Sequence, residues 1–293
     1  NLKIILDPEK CTTCQTCLKV CPYELYLHHQ GEIRLQEDEK FEEECIECGH
    51  CAAACPSDAI TLKIHANEEL GKAKSTDQLI SLDRLHDLIT SRRSIRNFKK
   101  KEVPKELIEK LFELARYTPT GHNEENVHYT VVQDANILKK FSEEITKNVR
   151  NLVSKLEDPE ERASFREVMP ERVFRKAEEA LPGFKRNLAR VKRGVEPWRR
   201  GGQLIILHSP RDAATLAENC SLAACHVMLA AESLGLGTCS LGYSTAMMNQ
   251  FRTVSKIVKI PRKHKVGYTL AIGYPNIKYP KVPARKEPNV RWF

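Results

Sequence analysis

Two stretches in the second quarter of the chain place apolar residues at helical spacing. Residues 79–90 are amphipathic, and residues 103–117 carry an apolar stripe behind Pro104, a residue favoured at the first turn of a helix. The stripe consists of Leu107, Ile108, Leu111, Phe112 and Leu114. Both stretches are predicted to be helices.

Three short runs of β-branched and aromatic residues are typical of buried strands: residues 128–133, 203–208 and 266–272. Between the last two, residues 212–234 are rich in Ala and Leu and end at Gly235, a residue common after a helix terminus. This predicted helix is apolar on most of its circumference. We therefore expect it to be buried on more than one side, in a domain core or a dimer interface.

The segment from about 136 to 200 is helical in propensity but crowded with charge, which indicates a solvent-exposed helical excursion that could act as a lid. A polar stretch without hydrophobic period separates the chain's first part from the rest. We therefore predict a domain at 1–65, a linker at 66–78 and a second domain at 79–293.

Eight of the eleven cysteines lie in two copies of C-x2-C-x2-C-x3-C-P, at residues 11–22 and 45–56. A 4Fe-4S cluster needs a thiolate at each corner, and three closely spaced cysteines can supply three of them. The repeat resembles bacterial two-cluster ferredoxins, whose fourth ligand comes from the other repeat. The resemblance implies two ligand sets: Cys11, Cys14, Cys17 and Cys55 for one cluster, and Cys45, Cys48, Cys51 and Cys21 for the other.

Zinc and disulfides are the alternatives, but a zinc site would leave the duplicated third and fourth cysteines unexplained. The other three cysteines, Cys220, Cys225 and Cys239, are interpreted as small buried apolar residues. No signal peptide and no run of 18 apolar residues is visible, so neither secretion nor membrane insertion is suggested and a reducing cytoplasm is expected.

The net charge of +8 conceals an asymmetry. Residues 1–70 hold 6 Lys or Arg against 14 Asp or Glu, whereas residues 71–293 hold 41 against 25. An acidic module joined to a basic one indicates two surfaces with different partners rather than nucleic-acid binding.

The motif SRRSIRNF follows the first predicted helix and could clamp an anionic ligand, because guanidinium groups match phosphate oxygens. Taken alone, this motif is better interpreted as a basic surface patch. Further motifs follow in order: YTPTGHN at 117–123, GLGTCSLGY at 235–243, AIGYP at 271–275 and PARK at 283–286. Together, over roughly residues 82–286, they resemble the nitroreductase superfamily of FMN-dependent enzymes.

The resemblance implies an α+β fold, a sheet flanked by helices, and a homodimer with FMN at its interface. It places one group of residues at the FMN phosphate: Arg92, Arg93, Ser94, Arg96, Arg285 and Lys286. It places a second group near the ring or ribityl chain: Pro119, Thr120, Gly121 and Asn123. Leu241 and Gly242 would offer backbone amides toward the flavin N5 region.

One departure from the family pattern concerns Glu125, two residues after Asn123. The family commonly has Gln at this position, followed by Pro. A carboxylate beside a reduced flavin is unfavourable unless it points away, so no role is assigned to Glu125. The chain has no G-x-G-x-x-G after a strand, and a separate nucleotide-binding Rossmann domain is not supported. The family holds NAD(P)H over the flavin without that motif.

These features predict an oxidoreductase that takes electrons from NAD(P)H or reduced ferredoxin, through two 4Fe-4S clusters and FMN, to a small organic acceptor. The chemistry belongs to FMN, and His122, His128 and His208 are interpreted as structural. Two alternatives stay open. The chain could relay electrons to a partner protein, or the same fold could carry out enoate reduction or reductive dehalogenation.

Overall fold

The computed structural model describes residues 4–36, 41–62, 71–195 and 202–293. The chain divides into two compact units. The N-terminal unit comprises Asn1–Ile80 and the short segment Gly121–Glu124, and the second unit comprises Ser81–Thr120 and Glu125–Phe293. The predicted linker at 66–78 lies partly outside the described residues, and its described part forms only a short 3-10 turn at Thr76–Gln78.

The N-terminal unit is built from two small antiparallel strand pairs and three short helices. Its strands are β1 (Ile4–Leu6), β2 (Tyr26–His29), β3 (Glu32–Leu35) and β4 (Ile60–Leu62), and its helices are α1 (Thr16–Val20), α2 (Phe41–Glu44) and α3 (His50–Ala53). Strand β1 pairs with β4, and β2 pairs with β3 across a two-residue turn. Both turn residues, Gln30 and Gly31, have positive φ, as a tight hairpin turn with the right twist requires.

The second unit contains a four-stranded antiparallel sheet in the order β5-β6-β8-β7. Its strands are β5 (His128–Val132), β6 (Gln203–Pro210), β7 (Gly237–Ser240) and β8 (His264–Gly273). Its helices are α4 (Leu82–Ser91), α5 (Lys105–Ala115), α6 (Ala135–Glu157), α7 (Pro159–Val168), α8 (Glu171–Lys192), α9 (Leu216–Ser233), α10 (Gly242–Gln250) and α11 (Arg252–Ile257). The predicted α+β class, with a helix-flanked sheet, is confirmed.

Helices cover both faces of this sheet, and the side chains of β6 are therefore buried on both sides. Leu204 and Ile206 belong to one hydrophobic core, while Ile205 and Leu207 belong to the core on the opposite face. All four side chains are fully buried, because successive residues of a strand point to opposite faces. This two-sided burial explains the uninterrupted apolar run in the sequence.

The charged segment at 136–200 is helical, as expected, over its described part. It is not exposed on all sides, however. Helices α6 and α8 bury one face each, with Phe141, Ile145, Val149 and Phe174 almost completely inaccessible to solvent. The charges occupy the outer faces only, so the excursion extends the core of the second unit.

The predicted strands and helices are all present, with ends that differ by a few residues. Strand β7 was not predicted, because its four residues, Gly237–Ser240, contain two small polar side chains and one glycine. It is an edge strand paired only with β8 in the sheet. No helix in the described part of the chain combines the length and apolar character needed to cross a membrane.

Candidate functional site

The structure groups the eight N-terminal cysteines around two cavities. One cavity, here called the first cavity, is lined by Cys11, Cys14, Cys17 and Cys55. The other, the second cavity, is lined by Cys21, Cys45, Cys48 and Cys51. Each cavity thus combines three cysteines of one repeat with the last cysteine of the other repeat.

The two cysteine loops have the same backbone path. Positive φ values occur at corresponding places: Thr13 and Glu47, then Gln15 and Gly49, each pair between the same two cysteines of its repeat. Glu24 and Asp58, three residues after the last cysteine of each repeat, form a third such pair. Positive φ is uncommon outside glycine, so its recurrence reflects a curled loop that both repeats impose.

Sulfur atoms at the first cavity have nearby hydrogen-bond donors. Cys14 Sγ lies 3.4 Å from Thr16 Oγ1, and this contact lowers the pKa of the exposed Cys14 thiol. The backbone N–H of Ala59 donates to Cys55 Sγ at 3.3 Å. Burial acts to raise the pKa of Cys55, but hydrogen bonds from the backbone of Ser57 and Ala59 outweigh it and lower that pKa. Both thiols therefore favour the thiolate that binds iron.

The thiol pKa of the buried cysteines shifts in the opposite direction. Burial raises the pKa of the Cys17 and Cys51 thiols, since a thiolate without a metal is poorly solvated there. A bound iron atom would supply the compensating positive charge. No group of three or more ligating side chains in the described residues converges closely enough to hold a single metal ion. Four thiols line each cavity, and a 4Fe-4S cluster needs one thiolate at each of its four corners.

The predicted phosphate clamp lies just after α4. Arg93 Nε donates to the Ser91 carbonyl at 3.2 Å, and an Arg96 nitrogen donates to the Ser94 carbonyl at 3.2 Å. Ser94 forms a parallel bridge with Thr238 of β7, so this basic segment continues the edge of the sheet. No carboxylate in the described residues forms an ion pair with Arg92, Arg93 or Arg96. Their charges are available to an anion such as a phosphate group.

The second basic group stands in the C-terminal tail. Asn276 pairs with Asn97 through its backbone N–H at 3.0 Å, which fixes the start of the tail beside the arginine segment. Arg285 and Lys286 are exposed, and Arg285 donates only to the adjacent Ala284 carbonyl, at 3.2 Å, among the contacts described. Among the described contacts, no hydrogen bond joins these two residues to Arg92, Arg93 or Arg96.

The predicted flavin loop is strained and tightly hydrogen-bonded. His122, Asn123 and Glu125 all have positive φ, a cost that a fold retains where the loop shape matters. Thr120 Oγ1 accepts from the Glu125 backbone N–H at 3.0 Å. Pro119 is exposed, and Gly121 begins the short turn Gly121–Asn123.

Asn123 has a partner that the sequence did not indicate. Its Nδ2 donates to the Ile46 carbonyl at 3.2 Å, and Ile46 follows Cys45 in the second cysteine loop. This hydrogen bond lies within the N-terminal unit, to which Gly121–Glu124 belongs.

The expectation that Leu241 offers its backbone amide to a flavin needs correction. The Leu241 N–H donates to the Thr269 carbonyl at 2.9 Å, and the residue is buried. Gly242 is the first residue of α10, where a backbone N–H has no partner within the helix. An amide donor at this turn would come from Gly242.

The second unit also contains a cluster of three histidines on adjacent strands, whose association the sequence did not predict. His208 Nδ1 lies 2.9 Å from His264 Nδ1, and His208 Nε2 lies 3.0 Å from Thr130 Oγ1. The His128 and His208 rings stack with centroids 5.7 Å apart. Burial, with His264 and His128 nearby, lowers the pKa of His208 to about 4. His208 is therefore neutral at pH 7.

The remaining cysteines are buried in two cases out of three. Cys220 and Cys239 are buried, as expected, and burial raises the pKa of Cys220 to about 11. The expectation for Cys225 is wrong, because this residue lies on the exposed side of α9. The helix is apolar on this side too, next to the exposed Leu222. Composition therefore could not separate the two faces.

Two family models match the chain. Residues 89–274 match the model described as the nitroreductase family, and residues 3–71 match the model described as a 4Fe-4S dicluster domain. The first match covers more than half of the chain, and the second includes every cysteine of the two cavities.

Individual relatives agree with this division. The chain is 26% identical over 213 residues to the iodotyrosine deiodinase of Thermotoga neapolitana, covering 71% of this chain and 97% of the relative. Its N-terminal part is 35% identical over 69 residues to an uncharacterized ferredoxin of Methanocaldococcus jannaschii, covering 22% of this chain and 80% of the relative.

Among solved structures, a nitroreductase with bound FMN from Desulfitobacterium hafniense has the same fold as the second unit. The TM-score is 0.52 at 20% sequence identity, and the match covers 72% of this chain and all of that structure.

Proposed function

The chain belongs to the nitroreductase family and carries a ferredoxin-type 4Fe-4S domain, and we propose that it is an iron-sulfur flavoprotein oxidoreductase. Electrons would pass through two 4Fe-4S clusters and FMN to a small organic acceptor. The observation that carries this proposal is the pair of four-cysteine cavities in a chain that also contains a nitroreductase fold.

The residues of this chain have separate tasks in the proposal. The first cavity's four cysteines would hold one cluster and the second cavity's four the other. Arg92, Arg93 and Arg96 would bind the FMN phosphate through charge-assisted hydrogen bonds. Bound FMN can take electrons singly and give them as a pair, whereas each cluster exchanges one electron. Two clusters therefore match one reduction of FMN.

Charge supports a route through the N-terminal unit. Residues 1–70 carry a formal charge of −8, and residues 71–293 carry +16. An acidic surface of this kind would favour a protein donor with a basic docking surface, whereas the anionic NAD(P)H would be attracted to the basic second unit. A reduced ferredoxin with such a surface, or NAD(P)H, would be the source of electrons. The thiols of the two cavities persist in a reducing compartment, so we propose a cytoplasmic location.

A homodimer is supported by helix α4. This helix is amphipathic, yet none of its residues is buried: Leu82 is 78% exposed and Ile89 is 49% exposed. Leu114 and Leu222 are also exposed on neighbouring helices of the second unit. Apolar side chains on this scale indicate a surface that another protein covers. We propose a second copy of the chain, and light scattering should give twice the mass of 33.5 kDa.

The relay can be tested in the full chain by rapid anaerobic mixing with a one-electron donor. Cluster bleaching should precede flavin reduction, and the Cys17→Ala/Cys48→Ala double variant should keep FMN but lose donor-driven turnover. The exposed Cys225 provides the matched control, since Cys225→Ala should behave as the wild type. Equal flavin reduction rates in the double variant and the wild type would refute the relay.

Reductive dehalogenation is a second candidate, favoured by the similarity to a protein named iodotyrosine deiodinase. In this reaction two electrons and a proton replace a carbon–iodine bond with carbon–hydrogen and release iodide. Steady-state assays with iodotyrosine, a nitroaromatic compound and an activated alkene, under one electron donor, separate the candidates. Sustained iodide release with little nitro reduction would favour the dehalogenase.

A further inference from the structure

Tyr26 places a hydroxyl group in the interior of the N-terminal unit. It is the first residue of β2, five positions after Cys21, and only 3% of its surface is exposed. Its hydroxyl is completely buried and has no hydrogen-bond partner among the described residues. A buried hydroxyl without a partner destabilises the fold, so a group that restores the hydrogen bond is expected nearby.

Cysteine thiols surround the cavity that Tyr26 lines. Tyr26 lines the second cavity together with all four of its cysteines. Pairing of Tyr26 with Leu35 across the β2–β3 hairpin fixes its backbone beside this cavity.

The hydroxyl groups that could donate hydrogen bonds to sulfur differ between the two cavities. Thr16 and Ser57 bring hydroxyls to the first cavity, close to Cys14 and Cys55. Among the described residues that line the second cavity, only Tyr23 and Tyr26 carry hydroxyl groups. Tyr23 is 38% exposed, so water can satisfy its hydroxyl. Tyr26 is the buried donor on this side.

We propose that the Tyr26 hydroxyl donates a hydrogen bond to a sulfur atom at the second cavity and thereby raises the reduction potential of the cluster held there. Reduction adds negative charge to the cluster, and a donor to sulfur stabilises the more negative state. The inference rests on the two-cluster assignment proposed above. Tyr26 would be a positioning and tuning residue, not an iron ligand.

The test is an anaerobic redox titration of the full-length protein, followed by electron paramagnetic resonance of the reduced clusters. In Cys48→Ala only the first cluster should remain, which assigns the two midpoint potentials. Tyr26→Phe should then lower the second midpoint by a threefold to tenfold change in the reduction equilibrium, tenfold being about 59 mV for one electron. The first midpoint should not move.

Tyr23→Phe is the matched control, because it removes a hydroxyl from the same cavity at an exposed position. It should leave both midpoints unchanged. Thr16→Val should lower the first midpoint only. An unchanged second midpoint in Tyr26→Phe, or an equal shift of both midpoints, would overturn the proposal and leave Tyr26 as a packing residue.

Should Tyr26→Phe lose iron, replacement of Tyr26 alone with 3-fluorotyrosine provides the second measurement. Its more acidic hydroxyl is a stronger donor and should raise the second midpoint, whereas no change would again reject the proposal. Failure of the underlying assignment has a different signature. Wild-type protein without iron and acid-labile sulfide would refute the clusters themselves.

Discussion

The two units build their candidate sites in opposite ways. In the N-terminal unit, all eight proposed ligands fall between Cys11 and Cys55, and two loops of the same shape arrange them around two cavities. Most candidate flavin residues belong to the second unit, where they come from segments as distant as Arg92 and Lys286. A local repeat can specify a site within one loop, whereas dispersed residues depend on the whole fold.

The two regions also differ in burial. In the N-terminal site, Cys17 and Cys51 are buried and Cys14 is the one exposed ligand, and several loop residues have positive φ. The basic residues proposed for FMN are partly or fully exposed, and Arg285 makes a described contact only with its own neighbour. Loss of one residue should therefore be far more damaging in the first region than in the second.

The largest expected effect is the loss of a whole cluster. Anaerobically purified protein should contain about eight iron and eight sulfide per chain, and Cys17→Ala or Cys48→Ala should each reduce both counts to about four. Each variant removes a ligand from one cavity only, and FMN should stay bound. Iron and sulfide analysis checks this, and stoichiometric zinc without sulfide would contradict it.

FMN affinity should respond more moderately. Arg92→Ala or Arg285→Ala removes one charge-assisted contact, worth about 1.5–3 kcal/mol, which corresponds to roughly 10-fold to 150-fold weaker binding. Fluorescence titration of FMN into apoprotein measures the change, with Lys100→Ala as a control at an exposed lysine of the same region. Wild-type affinity in Arg285→Ala would show that the tail does not contact FMN.

The histidine cluster predicts a pH effect confined to the second unit. The pKa of His208, about 4, lies below its ordinary value of 6.5, so the unfolded chain binds more protons between these values. Stability should be fully present above pH 6.5 and fall by on the order of 1–3 kcal/mol as pH drops toward 4.5. Urea unfolding at several pH values measures this, with His208→Asn expected to remove much of the dependence.

An exposed histidine gives the control for this experiment. His86 lies on the surface of α4, and His86→Asn should preserve the wild-type pH dependence. If His208→Asn and the wild type lose stability equally between pH 6.5 and 4.5, another group is responsible.

The smallest effect is expected at Cys225. Because its side chain is exposed on α9, Cys225→Ser should change the free energy of unfolding by no more than about 0.5 kcal/mol. Cys220→Ser should cost more, since it places a hydroxyl in a fully buried position beside Gly267. Urea unfolding of both variants makes the comparison, and equal losses would contradict the burial assigned to α9.

Much of the secondary structure could be predicted from the pattern of hydrophobic residues. The stripe of Leu107, Ile108 and Leu111 predicted α5, and the apolar run of β6 predicted a buried strand. Strand β7 was missed because its formation depends on pairing with β8 rather than on its own small residues. Whether a short edge strand of this kind forms depends on tertiary contacts.

The sequence by itself identified the eight proposed cluster ligands, because the spacing of cysteines within one short segment is enough to recognise four-thiolate ligation. It did not determine that Tyr26 lines the second cavity and has a buried hydroxyl, that the Leu241 N–H donates to Thr269, or that Asn123 donates to Ile46. Each of these depends on residues brought together from separate parts of the chain. Only the tertiary structure decided them, because a hydrogen bond depends on distance and direction in space, which spacing along the chain does not specify.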